Sequence, residues 1–366
     1  MDLSFYKNRK VFITGHTGFK GAWMCEVLSL AGAEVTGYAL EPPTEPALFN
    51  LLGLESKIKS VHGDIRDLNT LSKAMAEAAP EIVIHMAAQP IVRESYVNPV
   101  YTYETNVMGT VNICEAVRQT PSVKSFINVT TDKVYLNREW DRGYRETDEL
   151  NGYDPYSNSK SCSELVTSSY IKSFFTNEEY LKKYGCPAPA VSTCRAGNVI
   201  GGGDFAKDRI IPDCIRAVSK GEPIGVRNPN SVRPYQHVLE PVMLYLKLAE
   251  MQYENKALAG SYNIGPCDED CLTTGELVKS FCDIWNEKNT AAGLPKAKWL
   301  CSCVEGPHEA NFLKLDCQKV RDALEWAPVW KINRTIEKIV EWNLEYLGKG
   351  DVRAVTDRQI SEYLNA

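Results

Sequence analysis

Short apolar runs alternate with helix-period segments across the first half of the chain, and this alternation restricts the fold more than any other feature. The runs are Lys10-Val11-Phe12-Ile13-Thr14 and residues 34–38, 60–63, 81–86, 124–129 and 190–194. Helical patterns fill the gaps: to about Ala31, over 68–79, over about 100–119, and after Tyr156. Apolar runs without polar alternation are strands covered on both faces, which is the pattern of a parallel sheet with crossover helices. The expected class is therefore α/β, a doubly wound parallel-sheet Rossmann domain. After Arg195 the alternation weakens and Gly201-Gly202-Gly203 marks a loop. Helical stretches follow at Ile210–Ser219, 240–253, 274–289 and 333–347, with a strand-like piece at Ser261–Ile264. Residues 1–194 are read as the sheet domain. Residues 195–366 are read mainly as a smaller α+β substrate-binding cap on the carboxyl edge of the sheet, with some segments returning to the first domain.

Bulk composition excludes several function classes. The chain has 366 residues, 44% apolar and 24% charged, with a net charge of −6. It carries no basic block, so bulk charge gives no footing for nucleic acid. No run of about 18 apolar residues exists to cross a bilayer. The start, MDLSFYKNRKVFITG, runs directly into a strand without an apolar leader, so a cytoplasmic protein is expected. The twelve cysteines are scattered, and Cys25, Cys114 and Cys214 fall inside apolar helical patterns. A reduced state fits that placement. Cys267 with Cys271 and Cys301 with Cys303 lack the usual zinc spacing, so no metal is expected.

The first strand leads into Gly15-His16-Thr17-Gly18-Phe19-Lys20-Gly21 and then a helix. Glycines at 15, 18 and 21 allow a sharp turn and close backbone approach to a pyrophosphate, which the helix N-terminus then meets with N–H donors. A dinucleotide cofactor is expected here. The acidic residue that would bind a ribose 2′-hydroxyl is missing from Gly37-Tyr38-Ala39-Leu40, and no arginine replaces it. Lys20 is available for a 2′-phosphate or a pyrophosphate oxygen, so the turn alone leaves NAD and NADP open. Asp64 and Ile65, after the third strand, are placed for the adenine or, for Asp64, a helix N-cap.

Tyr156 and Lys160 stand four residues apart, on one face of a helix that Asp154-Pro155 starts. Tyrosine, with a free pKa of ~10, is a poor base at neutral pH. An adjacent ammonium and a cationic nicotinamide favour the phenolate. The fifth strand ends in Asn128-Val129-Thr130-Thr131-Asp132-Lys133, which delivers a hydroxyl, a carboxyl and an amine to the ligand edge of the sheet.

These motifs, with His85-Met86-Ala87-Ala88-Gln89, resemble the extended short-chain dehydrogenase/reductase family, in its NAD-dependent epimerase/dehydratase branch. The resemblance covers nearly the whole length. GHTGFKG, GDIRD, AAQPIVRESY, NREWDRGYRE, GYDPYSNSK, RAGNVIGGGD and PHEA resemble, in order, the 4,6-dehydratases of that branch that take CDP-glucose. Two stretches depart from the subfamily: Thr130-Thr131-Asp132-Lys133-Val134-Tyr135, and Ser161-Cys162-Ser163 after the lysine. Neither removes a reactive group.

The resemblance implies NAD as cofactor, held by residues 15–21, Asp64, Ile65, Ala87, Ala88, Gln89, Thr130, Tyr156 and Lys160. It implies a catalytic set of Thr131, Asp132, Lys133, Tyr156 and Lys160. Tyr156 takes the proton of the sugar 4-hydroxyl as hydride leaves carbon 4 for NAD, and Thr131 hydrogen-bonds the 4-oxygen. Lys160 holds the nicotinamide ribose. The ketone acidifies the carbon 5 proton, Asp132 protonates the departing 6-hydroxyl, the hydride returns to carbon 6 and carbon 5 is reprotonated. Lys133 removes the carbon 5 proton when neutral, or stabilises the enolate as a cation. Arginine forks suit a diphosphate. The expected substrate contacts are therefore Arg195, Asn198, Arg209 and Arg233 at the diphosphate, with Arg93 near the nicotinamide and the sugar by its position after the fourth strand and His308, by the resemblance, near the nucleotide. A homodimer through the helices from about Val100 and from Pro155 is expected by the same resemblance. Two other functions stay open: a nucleotide-sugar 4-epimerase, which needs no Asp132 beside Lys133, and a non-catalytic NAD(P)-sensing module, which needs neither Tyr156 nor Lys160.

Overall fold

A computed structural model describes residues 2–185, 188–289, 293–302 and 312–366. The six expected strands form: β1 (Lys10–Thr14), β2 (Glu34–Ala39), β3 (Lys59–His62), β4 (Ile82–His85), β5 (Ser125–Val129) and β6 (Ala190–Ala196). They lie in one seven-stranded sheet in the order β3-β2-β1-β4-β5-β6, and Ser261–Ile264 completes the β6 edge. Every pairing is parallel. Ser261–Ile264 and the helix Leu239–Glu254 come from the second half of the chain yet belong to the sheet layer, so the two halves interleave.

One core lies on each face. Phe12, Tyr38, Leu71, Met75, Val83, Ile113 and Phe126 fill one side. Trp23, Met24, Val27, Tyr245 and Leu246 are among those filling the other, together with the C-terminal residues Trp342, Val355 and Tyr363. A third cluster, including Ile211, Leu277, Phe281, Trp285 and Ile336, makes the cap. Three two-stranded ribbons stiffen the cap: Val199–Ile200 with Gln236–His237, Val232–Arg233 with Leu272–Thr273, and Ile224–Val226 with Trp299–Cys301.

Local chemistry explains the helix starts. Helix α1 (Phe19–Leu30) begins at Gly18, which gives no side-chain cap. Asp67 caps Leu68–Ala78 through the amides of Asn69 and Thr70. Asp154 accepts from the Ser157 amide, with Pro155 in the first turn of Pro155–Tyr170. The segment expected as one helix over 100–119 is three pieces: Pro99–Tyr103, a π-type turn Glu104–Met108, and Gly109–Arg118. The wider turn carries Asn106, whose amide reaches the Gln89 carbonyl and the Ser159 hydroxyl. The helices Glu178–Tyr184 and Val352–Leu364 were not expected.

The glycine loop after β6 docks the cap. A Cβ at Gly202 would stand 2.1 Å from Cγ of the buried Trp342, and the Gly202 carbonyl accepts from the Trp23 indole at 3.0 Å. Gly202→Ala is expected to destabilise the protein by about 1–3 kcal/mol through overpacking. An unchanged thermal midpoint would mean that Trp342 yields without cost.

Candidate active site

A cleft of ≈ 1710 Å³ runs along the carboxyl ends of the strands, between sheet and cap. It crosses the β1/β4 junction, where strand order reverses. Close backbone approach shapes its floor. Gly15 has φ 78°, and a Cβ there would lie 2.8 Å from the Ala87 amide nitrogen. A Cβ at Gly21 would lie 2.2 Å from the Gly15 carbonyl oxygen. No side chain caps the start of α1, which leaves its first N–H groups for an anion. The cleft is long and glycine-floored, and its helix end is bare. Those features fit an extended dinucleotide diphosphate.

Gly15, Thr17, Gly18, Phe19, Lys20 and Gly21 line it, as do Asp64, Ile65, Ala87, Ala88, Thr130, Tyr156 and Lys160. His16 does not line it. Its ring lies over Gly37 of β2, where a Cβ would come within 2.3 Å, and its Nε2 meets the Ser60 hydroxyl at 2.8 Å. Burial lowers its pKa to about 4, so it is a neutral packing group. Gln89 reaches the cleft, but its side chain is spent on the loop: its amide donates to Ile91 O and the Thr102 hydroxyl, and its oxygen accepts from Ile91 N. Asp64 is not the cap of the following helix, since Asp67 is. It holds Arg66 in a fork, with contacts of 2.7–3.1 Å. The acid missing after β2 has a neighbour beyond the stretch read from sequence: exposed Glu41 lines the cleft and pairs with His62 at 3.1 Å. Lys20 bends beneath the cleft to the Tyr245 hydroxyl at 3.4 Å.

The reactive groups gather at the ends of β5 and the Pro155 helix. Thr131 Oγ1 donates to Asp132 Oδ1 at 2.9 Å and stands close enough to Tyr156 to favour its phenolate. Asp132 is 1% exposed, and among the described residues its Oδ2 has no hydrogen-bond partner. Burial raises its pKa, against the pull of Lys133, Thr131 and Arg233, and so favours the protonated acid. A Cβ at Gly197 would lie 2.7 Å from that free oxygen, so the glycine leaves the carboxyl its room. Burial pushes Tyr156 up to about 12. Within the protein Thr131 opposes that rise first, and the opposing cation is Arg209 rather than the expected Lys160. Burial brings Lys160 down to about 8, and Glu164 resists the shift. Its ammonium donates to Val129 O at 3.2 Å. Lys133 is half-buried in the cleft wall.

The expected substrate contacts divide. Asn198, Arg209 and Arg233 line the cleft, and Arg209 pairs with Asp204 at 3.0 Å. Arg93 lines it and faces Asp208 at 3.7 Å. Asp208 also faces Arg227 at 3.6 Å, a cleft arginine that the sequence reading passed over. Its signal was present as a second arginine six residues before Arg233. Arg195 is corrected outright. It is 3% exposed, does not line the cleft, and pairs with buried Glu164 at 2.8 Å. His308 and Cys303 lie outside the described residues. Among the described residues no group of three or more His, Cys, Asp or Glu side chains is gathered to hold a metal, and no helix is long and apolar enough to cross a membrane.

A doubly wound sheet, a glycine-floored dinucleotide cleft and a Tyr–Lys helix beside a Thr-Asp-Lys strand end define a Rossmann-type nucleotide-sugar enzyme class. The chain matches the GDP-mannose 4,6 dehydratase family over residues 12–339 and belongs to it. It is 45% identical to the CDP-glucose 4,6-dehydratase of Salmonella typhimurium, over 100% of this chain and 99% of that protein. In fold it is similar to a UDP-glucose 4-epimerase from Stenotrophomonas maltophila solved with NAD (TM-score 0.77, 18% identity, 92% of this chain and 98% of that one). It is also similar to a dTDP-glucose 4,6-dehydratase from Bacillus anthracis solved with NAD (TM-score 0.69, 20% identity, 91% and 96%).

Lys160 carries a stability cost with a definite sign. Its pKa is about 8 folded against an ordinary 10.5. Below about 8 both states hold the proton and the cost of the buried charge is full. Between those values the unfolded chain binds more protons, so stability rises with pH. The cost at neutral pH is on the order of 3 kcal/mol. Lys160→Met is therefore expected to raise the thermal midpoint of the cofactor-free protein at neutral pH and to lose that advantage in alkali. A lower midpoint at neutral pH would show that the Val129 and Glu164 contacts outweigh desolvation.

Proposed function

We propose that the protein is an NAD-dependent CDP-glucose 4,6-dehydratase, a hydro-lyase forming CDP-4-keto-6-deoxy-D-glucose. The observation that carries the substrate is the 45% identity to a CDP-glucose 4,6-dehydratase over both whole chains. The observation that supports dehydration over epimerisation is Asp132, buried, protonation-favoured and with one oxygen unpartnered beside Lys133. An epimerase has no leaving hydroxyl for such an acid to protonate. Two domains of function follow: the sheet unit for the cofactor, and mainly the cap for the nucleotide sugar.

Residues 15 and 17–21, Asp64, Ile65, Ala87, Ala88 and Thr130 would hold the NAD. When bound, NAD supplies the two-electron redox chemistry at carbons 4 and 6 of the sugar. Tyr156 accepts the 4-hydroxyl proton, in a site where burial holds its own proton tightly and Thr131 and Arg209 ease its loss. Thr131 supports the 4-oxygen, and Lys160 orients the ribose. Asp132 gives its proton to the departing 6-hydroxyl, while Lys133 is assigned the carbon 5 proton. Arg209, Arg227, Arg233 and Asn198, which line the cleft, would hold the diphosphate, and Arg93 would stand near the sugar. The water-poor wall around Asp132 and Tyr156 keeps these charges effective. We further propose a cytoplasmic homodimer through the helical face bearing exposed Val97, Val100, Met108 and Leu165.

The test is an NMR time course with NAD and CDP-, dTDP-, UDP- and GDP-glucose in heavy water. A deoxy methyl signal with CDP-glucose alone, and deuterium at carbon 5, is the expected result. A galactose-configured product without a methyl group would refute dehydration. Asp132→Asn is expected to cut methyl formation by about 10²–10⁴-fold while 4-keto sugar still forms. Lys133→Met is expected to leave CDP-glucose binding intact and stop elimination. Wild-type turnover in either variant would remove that residue from the chemistry.

A further inference from the structure

The Thr131-Asp132-Lys133 segment is held at both ends by one buried ion pair. Glu164 stands one helical turn beyond Lys160, and its side chain is 2% exposed. Its Oε1 accepts from the Thr130 hydroxyl at 2.5 Å, immediately before the reactive segment. Its Oε2 accepts from the Thr193 hydroxyl at 2.7 Å and from Arg195 at 2.8 Å. Arg195 then reaches past the segment. Its NH1 donates to the Tyr135 hydroxyl at 2.9 Å and to Glu146 O at 3.0 Å, and its guanidinium carbon lies 5.2 Å from the Tyr135 ring centroid. Tyr135 in turn donates to Asn263 Oδ1 at 2.6 Å. Ser161, from the same helix, donates to Val134 O at 2.7 Å. Residues 130, 134 and 135 are thus tied to the helix that carries Tyr156 and Lys160, and residues 131–133 span the gap.

A buried ion pair is a weak source of net stability, because desolvation offsets the attraction. What this one supplies is geometry: two planar, multiply bonded groups admit few arrangements. We propose that Glu164 and Arg195 are positioning residues that clamp the Thr131-Asp132-Lys133 segment against the Tyr156/Lys160 helix and so set the elimination geometry. This rests on the dehydratase reading. Tyr156 and Lys160 are fixed by their own helix, so Thr131 is the one clamped residue that serves oxidation at carbon 4, and the clamp acts mainly through Asp132 and Lys133, the groups of the elimination step. Arg195 is reassigned from substrate contact to this role.

Removing either charge outright would leave its partner buried and alone, and such variants could fail to fold for that reason. Thr130→Val and Tyr135→Phe each release one end of the segment and leave the ion pair whole. The measurements are steady-state kinetics with CDP-glucose at saturating NAD, since Thr130 also lines the cofactor cleft, with rapid-quench assay of undehydrated 4-keto sugar nucleotide and thermal midpoints. Each variant is expected to lose about 10-fold in kcat, less than the ~100-fold of a full 1 Å misplacement. KM for CDP-glucose should stay within about 2-fold, the undehydrated ketone should build up, and the double variant should accumulate more of it. Wild-type kcat in both variants would overturn the clamp. So would loss of kcat in step with a lower thermal midpoint and no build-up of ketone, since that is the signature of a merely structural contact. A wild-type protein that forms no deoxy methyl product would instead overturn the dehydratase reading, and the step-specific role with it.

Discussion

Right-handed crossover connections govern this molecule. A parallel sheet that grows outward in both directions from β1 must send its helices to opposite faces on the two sides of the β1/β4 junction. The helices diverge there and leave a crevice that no side chain of the sheet can fill. The glycine turn after β1, the bare start of α1 and the loop after β4 all open into it. The second half of the chain roofs that crevice and returns Leu239–Glu254 and Ser261–Ile264 to the sheet layer. The cleft is a consequence of topology before it is a consequence of any reactive residue.

Exclusion of water then sets the protonation states inside it. Asp132, Tyr156 and Lys160 are all displaced toward their neutral forms, and burial is the largest cause in each case. For an acid that must give up a proton to a leaving hydroxyl, the displacement is useful. For a tyrosine that must take one, it is a cost, eased by Thr131 and Arg209 and by any cation bound against the ring. The same low-dielectric setting explains why Glu164 and Arg195 are paired with each other and bonded to their neighbours. A buried charge with a missing partner would destabilise the strand ends on which the reactive groups stand.

Local patterns carried much of the fold and part of the site. β1 to β6 were legible because apolar runs of that length between helices have few other uses, and Asp154-Pro155 marked the start of the reactive helix because capping is a local rule. The turn Gly15 to Gly21 was legible for the same reason. The errors have a common physical source. Arg195 was given to the substrate because it follows a strand near the ligand edge, but alternation along β6 turns it with Thr193 toward Glu164. His16 sits in the cofactor turn, yet Gly37 on β2 offers its ring a socket. Gln89 was open to a cofactor or a backbone-capping role, and it lines the cleft while Asn106 of the π-type turn meets its backbone and Thr102 of Pro99–Tyr103 meets its side chain. Arg227 went unread because its approach to Asp208 depends on how the cap itself folds and not on neighbours along the chain.

The order of strands and helices, the glycine turn, the Tyr156/Lys160 spacing and the Thr131-Asp132-Lys133 strand end were determined by sequence alone, since each depends on neighbours within a few residues. Which charged groups face the cleft, which are sealed beneath it, and how far burial moves their protons were decided only by the tertiary structure. Those outcomes depend on residues brought together from Arg93 to Arg233, and on the loss of water around them. Solvent exclusion is a property of the assembled layers, and no segment of the chain carries it by itself.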